Sequence, residues 1–552
     1  MKLRFRRIAR TLIRVAILLV VLFLYFGRSS FIIHVKNTFY EPVTEEYRYG
    51  LIDDVRIIRC YRWYRQCGTL FAEQSVSSDN LVSWSRISKN LTDESLYSIE
   101  STVFYVTFLY VHQWEPSSGK NPITELAISR HSSLIPIQVT QDVQKLIKIS
   151  DSSVFHDHTH RQKKNFLNIF GGEQSDLDIV HSLGEDWQYN GGGIWCKRRA
   201  DENPIISLEI YLGSGFHESR PNWKEVIHEY DRRLGSRKLP LSVTREISGP
   251  KEKADQWDYN YASISLNVRH GDSFKILQVS DVHFRCSDET AAVLNEFQTK
   301  HFISDVITRE WPDLVVITGD VLDGENSLDY QTCIMKLVQP MIRLKIPYVF
   351  SLGTSDYSRF ATDSQIRDFL SNLPFCINKA SSSDGHIAMT ASFKTGADVV
   401  IYAFDSFQPI KPFLEEHVAY KHYKYALAFR HLPIPEYRPE GMFPIIGQYN
   451  EQSNYKSKLE EEEMMHKLLR SFNVKAMSCG HEHSNDCCLQ SPGDMWLCYA
   501  GSTGVGIDRA NGMEPSVRLF KIDDVHGLIT SWKRNFRMID SVSDYQYIFQ
   551  EK

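Results

Sequence analysis

The chain has 552 residues, 42% apolar and 24% charged, with 63 Lys and Arg against 68 Asp and Glu, for a formal charge of −5. That length exceeds one ordinary hydrophobic core, so at least two domains are expected. The slight acidic excess argues against a nucleic-acid partner, which calls for a basic excess or a concentrated basic patch. The ten cysteines contain no C-x-x-C pair, which excludes a zinc knuckle or thioredoxin-type redox site.

At the N-terminus, Lys2, Arg4, Arg6, Arg7, Arg10 and Arg14 precede an uninterrupted apolar run from Val15 to Gly27. As a helix that run covers about 20 Å, short of a ~30 Å hydrocarbon core. Leu12 and Ile13 lengthen it if Arg14 snorkels to the interface. An uncleaved signal anchor over residues 1–35 is therefore expected, with the basic cluster cytoplasmic and the rest lumenal. This is the topology of a single-pass type II membrane protein of the secretory pathway, in the endoplasmic reticulum or vacuole. A cleaved signal peptide, an amphipathic or buried segment, and a cytosolic orientation are the rivals. Gly27 and Ser29 make a poor cleavage site. The sequon Asn90-Leu91-Thr92 fits a lumenal location, where Cys60 and Cys67 are candidates to pair.

Residues 36–258 read as a β-rich N-terminal domain. Residues 101–114, LIPIQVT and IISLEIYLG are dense in β-branched and aromatic residues and read as strands. Residues 222–235 read as a helix capped by Asn222, with Trp223, Val226, Ile227 and Tyr230 on one face and Gly235 as the stop. His156, His158 and His160 at strand spacing read as a polar loop with metal-binding potential. The Gly-rich GGGIW at 191–195 reads as a turn, and residues 248–258 as a linker.

From 259 to 552 strands and helices alternate. Lys275–Val279 is an apolar strand. A long helix over 288–311 is apolar at Val293, Leu294, Phe297, Phe302, Val306 and Ile307. DLVVITGD, PYVFSLG, ADVVIYAFDS, YALAFRH and VKAMSCGH follow as strands, with helices at TCIMKLVQPMIRL and KLEEEEMMHKLLRSF. The result is an α/β or α+β layered domain.

Four of its strand ends carry polar residues: Asp281-Val282-His283, Gly319-Asp320, His431, and Gly480-His481-Glu482-His483. In an extended segment Asp281 and His283 point the same way, and Gly480 permits a sharp turn that aims His481 and His483 at one centre. Carboxylates with imidazoles suit Zn, Fe or Mn, and a shared carboxylate bridges two ions. The Gly-rich 499–508 reads either as a loop closing over this site or as a plain connection.

QVSDVHF, VVITGDVLDG, RHLPIPEY and CGHEHSND resemble four of the five blocks of the calcineurin-like metallophosphoesterases, D-x-H … G-D … G-N-H-D … H … G-H-x-H. The narrower H-x-P-I-P-E-Y and G-H-x-H-x-N-D resemble the branch of fungal dosage-dependent cell-cycle regulator phosphatases and plant purple-acid-phosphatase-like proteins. The resemblance implies a four-layer β-sandwich flanked by helices. It implies one divalent ion on Asp281, His283, Asp320 and His483 and a second on Asp320, His431, His481 and an asparagine. Asp320 and His431 then belong to the catalytic apparatus. Gly353-Thr354-Ser355-Asp356 stands in place of G-N-H-D, so Thr354 replaces the asparagine ligand and Ser355 the histidine that assists catalysis. Asp323 occupies the position of the tyrosine ligand of purple acid phosphatases, so a purple charge-transfer site is not expected.

The implied activity is hydrolysis of phosphate esters, phosphoproteins included, by metal-activated hydroxide, at a rate reduced by Thr354 and Ser355. The alternatives are a pseudophosphatase scaffold that binds metal or phosphoprotein, and a membrane-associated protein whose N-terminal domain binds a partner or lipid. In sealed vesicles, the chain beyond Arg28 is expected to resist protease, and glycosidase to shift its mobility unless Asn90→Gln is introduced. Digestion without detergent contradicts this topology.

Overall fold

The computed structural model describes residues 50–61, 84–87, 89, 105–114, 119–128, 156–157, 187–189, 194–213, 215–228, 241–248, 259–260, 263–269 and 271–551, the last with short gaps at 288, 328, 359–360, 381–383, 439–443, 451–461 and 492. The expected anchor, the sequon at Asn90, Cys67, His158, His160 and nearly all of 248–258 lie outside these residues. Among the described residues no helix is long and apolar enough to cross a membrane.

The chain divides into two compact units, one ending at Ser207 and taking in Ile227–Asp231, the other made of Leu208–Val226 and everything from Arg232 on. In the first unit every described element is a strand. Trp84–Arg86, Tyr105–Gln113, Ile52–Tyr61 and His156–Asp157 form one four-stranded sheet, and Ile227–His228, Glu125–Ile128, Ile194–Lys197 and Trp187–Tyr189 another.

The helix expected over 222–235 is not formed at its described positions. Trp223–Glu225 is a strand paired antiparallel with Thr244–Glu246, and Ile227–His228 pairs in parallel with Ala127 and Ile128. Asn222 adopts φ 64° instead of capping a helix. The Arg220 guanidinium lies 3.7 Å over the Trp223 ring. Strand partners distant in sequence override the local helical pattern.

Besides the sheet that holds Trp223–Glu225 and Leu241–Ile247, the second unit is built on two larger sheets. The first contains β1 (Ser273–Val279), β2 (Leu314–Ile317) and β3 (Tyr348–Phe350). The second contains β4 (Ile387–Ser392), β5 (Asp398–Phe404), β6 (Tyr425–Arg430), β7 (Val474–Cys479), β8 (Cys488–Gln490) and β9 (Trp496–Tyr499). β10 (Ser516–Asp523), β11 (Leu528–Asn535) and β12 (Ser543–Gln550) return to the first. Its order is β3-β2-β1-β10-β11-β12, with β1, β2 and β3 parallel and β10–β12 antiparallel. In the second sheet β5, β6, β7 and β9 run parallel.

Strand alternation sends successive side chains to opposite faces. Phe274, Ile276, Leu314, Val316 and Val349 meet Met389, Ile401, Leu427 and Phe429 of the second sheet in a shared core. Leu277, Val279, Val315 and Ile317 face α1 (Thr290–Glu310), α2 (Tyr330–Leu344) and α3 (Asp363–Ser371). Val400, Tyr402, Ala426, Ala428 and Met477 pack on α4 (Lys411–Glu416) and α5 (Glu462–Ser471). The layers run helix, sheet, sheet, helix.

α1 corrects one expectation. Leu294 and Phe297 are 54% and 58% exposed, while Glu296, Thr299, Phe302, Ile303, Val306, Ile307 and Glu310 are buried. The inward face opens on polar groups with partners. Glu296 accepts from the backbone N–H of Arg285 and Cys286 at 2.8 Å and pairs with buried Lys336 at 2.5 Å. Thr299 Oγ1 accepts from Val505 N. Anchoring two loops sets the rotation of this helix. In urea unfolding, Phe302→Ala is expected to cost about 3–5 kcal/mol and Phe297→Ser less than about 0.5 kcal/mol; the reverse ranking contradicts this rotation.

Candidate metal centre

β1, β2, β3, β6 and β7 all end on the same side of the sandwich, where α/β folds gather ligands. Beyond the end of β1 the chain leaves the strand at once. Asp281 and His283 have φ 52° and 49°, so two left-handed turns, not an extended D-x-H segment, deliver both side chains. Asp281 N donates to Gly319 O at 3.0 Å, and Val282 N and His283 N donate to Asp320 O at 2.9 Å. Ser280 Oγ donates to Asp281 Oδ2 at 2.6 Å.

Beyond β2, Asp320 has φ 50°. Its turn is pinned by the buried Asp356 carboxylate, which accepts from the N–H groups of Asp320, Val321, Leu322 and Gly353 at 2.8–3.0 Å. Gly353 has no room for a side chain: a Cβ there would lie 2.3 Å from Asp320 Oδ1 and 2.8 Å from His431 Cε1. Ser355 N donates to Asp320 Oδ1 at 2.7 Å and Ser355 Oγ to Oδ2 at 3.1 Å. Thr354 Oγ1 stands 3.5 and 3.4 Å from the same two oxygens.

His431 directly follows β6. Its Nδ1 donates to Thr318 O at 2.8 Å, which directs Nε2 at Asp320 Oδ1, 3.3 Å away. That Nε2 is buried and has no hydrogen-bond partner. After β7 the sharp turn falls on His481, φ 72°, rather than on Gly480. Gly480 is needed for close approach, since a Cβ would lie 2.0 Å from Ser280 Oγ and 2.7 Å from Asp281 Oδ2. His481 N donates to both oxygens of Asp281 at 3.1 Å.

His483 Nε2 lies 3.1 Å from His283 Nε2 and 3.6 Å from Asp281 Oδ1. His283 Nε2 is 3.7 Å from Asp320 Oδ2. Two sets result, Asp281, His283, Asp320 and His483, and Asp320, His431 and His481. Within each, one ligand atom per residue lies inside 4.8 Å of all the others. Asp320 belongs to both, with Oδ2 toward His283 and Oδ1 toward His431.

Electrostatics separate the ligand types. Burial alone would raise the Asp281 carboxyl, but the hydrogen bond and charge of His483, with His431 and His283, hold it well below the usual carboxylate range. Burial lowers His283 against the pull of Asp320 and Asp281. It also lowers His481, where the charge of His431 adds to the effect. On His431 burial acts downward, and Asp320 and Asp281 outweigh it and raise the imidazole. Burial and the Asp320 charge push Asp356 up to about 6, against the N–H groups it accepts from. Ionised carboxylate and neutral imidazole are the forms that bind metal. His431 Nε2 and Asp320 Oδ1 face one another without a hydrogen bond, an arrangement that a cation between them satisfies.

Several supporting groups escape sequence reading. Asp356 was legible only as the last letter of the altered block. The backbone of the 499–508 loop packs on the Asp281 turn: Thr503 N donates to Ser280 O at 2.8 Å and Gly504 N to Asp281 O at 3.2 Å. Arg509 ties this loop to itself through Ser502 O and Ile507 O. Asp323 pairs with Arg285 and approaches His283 Nδ1 at 4.0 Å. Among the described residues Cys286–Cys333 and Cys488–Cys498 form disulfides, while Cys196, Cys376, Cys479 and Cys487 remain thiols.

Residues 274–485 match the family described as calcineurin-like phosphoesterase. The chain is 34% identical over 535 residues to Protein SIA1 of Kluyveromyces lactis, across 90% of this chain and 89% of that one. It is 29% identical to Phosphatase DCR2 of Saccharomyces cerevisiae, across 50% of this chain and 55% of that one. It is 25% identical to Probable inactive purple acid phosphatase 28 of Arabidopsis thaliana, across 44% of this chain and 73% of that one. This chain belongs to the calcineurin-like phosphoesterase family, with a fungal phosphatase and plant purple-acid-phosphatase-like proteins among its relatives.

Asp356→Ala strips a buried acceptor from the Asp320 turn. A stability loss of about 3 kcal/mol or more is expected in denaturant unfolding, since buried N–H groups left without acceptors cost about 1–3 kcal/mol each. A loss below about 1 kcal/mol contradicts the pinning role.

Proposed function

We propose that this chain is a metal-dependent phosphoesterase. Asp281, His283, Asp320 and His483 would hold one divalent ion, and Asp320, His431 and His481 a second. The observation that carries this reading is the Asp320 carboxylate, whose two oxygens face two imidazole groups, one of them ending in a buried nitrogen without a hydrogen bond. Two bound ions supply charge to clamp a phosphate and a hydroxide nucleophile at neutral pH. The chain's own residues hold that arrangement in place. Thr318 O orients His431, the Asp281 carboxylate fixes the backbone of His481, and Asp356 fixes Asp320. Mn, Zn and Fe all suit this mixture of oxygen and nitrogen donors.

A second reading, a scaffold that binds phosphorylated protein without turnover, draws on Thr354 and Ser355. Their hydroxyls replace an amide and an imidazole, and the Arabidopsis relative carries the word inactive in its name. Loss of an acid or charge-stabilising group lowers a rate by about 10²–10⁴-fold, so slow hydrolysis is the expected behaviour.

The test is hydrolysis of phosphomonoesters and diesters by the full chain with Mn or Zn. Asp320→Asn is expected to lower the rate by about 10²-fold or more, and Thr354→Asn with Ser355→His to raise it by a similar factor. Equal rates for the parent chain and Asp320→Asn, with metal bound to the parent, favour the scaffold.

A further inference from the structure

Resting on the reading of these residues as a two-ion centre, we propose that Arg509 is a positioning residue for the first ion, the one on Asp281, His283, Asp320 and His483. Its guanidinium latches residues 502–510 into a strap that holds the Asp281 turn and the His483 turn in place together. The strap bonds to both. At one end Thr503 N donates to Ser280 O at 2.8 Å and Gly504 N to Asp281 O at 3.2 Å. Gly504 runs so close to that turn that a Cβ on it would lie 2.4 Å from Val282 O. At the other end Ala510 N donates at 2.8 Å to the hydroxyl of Ser484, which directly follows His483. Between them Val505 N donates to Thr299 Oγ1 of α1 at 2.8 Å. Asp281 and His483 belong to the same ligand set, so one segment braces two ligands of one ion.

Arg509 keeps the strap folded back on itself. Nη1 donates to Ile507 O at 3.0 Å, and Nη2 donates to Ser502 O at 3.1 Å and to Gly504 O. These carbonyls converge on one planar fork, a shape that a lysine ammonium does not reproduce. Every acceptor of the guanidinium is a neutral carbonyl, and its Nε is buried without a hydrogen bond. Burial pulls the group down to about 10, against the charge of Asp281. A cation beside a metal site repels the metal. By charge alone, then, removing Arg509 would tighten ion binding. The latch acts with the opposite sign, because ligands released from their supports bind a metal less tightly.

The experiment is calorimetric titration of metal-free full-length protein with Mn²⁺, with thermal melts to show that each variant is folded. His483→Ala and His431→Ala mark which binding event belongs to the first ion and which to the second. Arg509→Met keeps the stem and removes the fork. It should weaken the first ion by about tenfold or more and move the second by less than about threefold. Arg509→Lys, which keeps the charge without the fork, should weaken the first ion too. Ser484→Ala releases the far end of the strap with Arg509 intact and should weaken the same event, which keeps the test decisive if Arg509→Met does not fold. A first ion bound as tightly or more tightly in the folded Arg509 variants or in Ser484→Ala overturns the assignment, as does an equal loss at both ions. A parent chain that takes up no Mn²⁺, Zn²⁺ or Fe²⁺ overturns the metal centre itself, a different result from two ions binding indifferently to residue 509.

Discussion

One buried carboxylate, Asp320, sets the terms for the rest of this site. Its oxygens look in two directions, toward His283 and toward His431, and each group around it is placed to keep that double aspect. The backbone conforms accordingly. Asp281, His283, Asp320 and His481 all adopt left-handed dihedrals, a conformation that costs an L-residue about 1–2 kcal/mol. Gly353 and Gly480 leave open the space that a Cβ would take from a ligand or its support. Strain of this kind persists only where the surrounding structure over-determines it. Here Asp356, Thr318 O and the 499–508 loop do so, each through buried hydrogen bonds.

The sandwich explains how such a cluster can be both strained and stable. Two ligand-bearing turns leave the first sheet and two leave the second, and the apolar faces of both sheets close on one another directly behind them. The ligands are therefore mounted on strand ends whose positions are set by the core. α1 contributes from outside, with Glu296 bonded to Arg285 N and Cys286 N and Thr299 bonded to Val505 N. The loop after His283 and the loop over Asp281 are thus tied to one helix face. Its apolar residues Leu294 and Phe297 are turned outward in consequence.

Much of this was legible in the residues. Continuous apolar runs marked the buried strands, and the polar letters at their ends marked the cluster, because strand ends are where such folds expose chemistry. The conformations of those letters were not legible. Nothing in Asp281-Val282-His283 distinguishes an extended segment from two left-handed turns; backbone hydrogen bonds to Gly319 and Asp320 decide it. The rotation of α1 was hidden for a related reason, since a buried Glu296 reads as a surface residue until Lys336 and two N–H groups are found around it. Residues 222–228 carry a good helical pattern and form strands, because their partners at 127–128 and 244–246 are distant in sequence.

The most direct test of the central claim is anomalous X-ray diffraction from crystals of the full chain purified without chelator. The account predicts two transition-metal peaks about 3.5–4 Å apart, one on each side of the Asp320 carboxylate. Ordered side chains at all six positions, with no anomalous density among them even after soaking in Mn²⁺ or Zn²⁺, would contradict it.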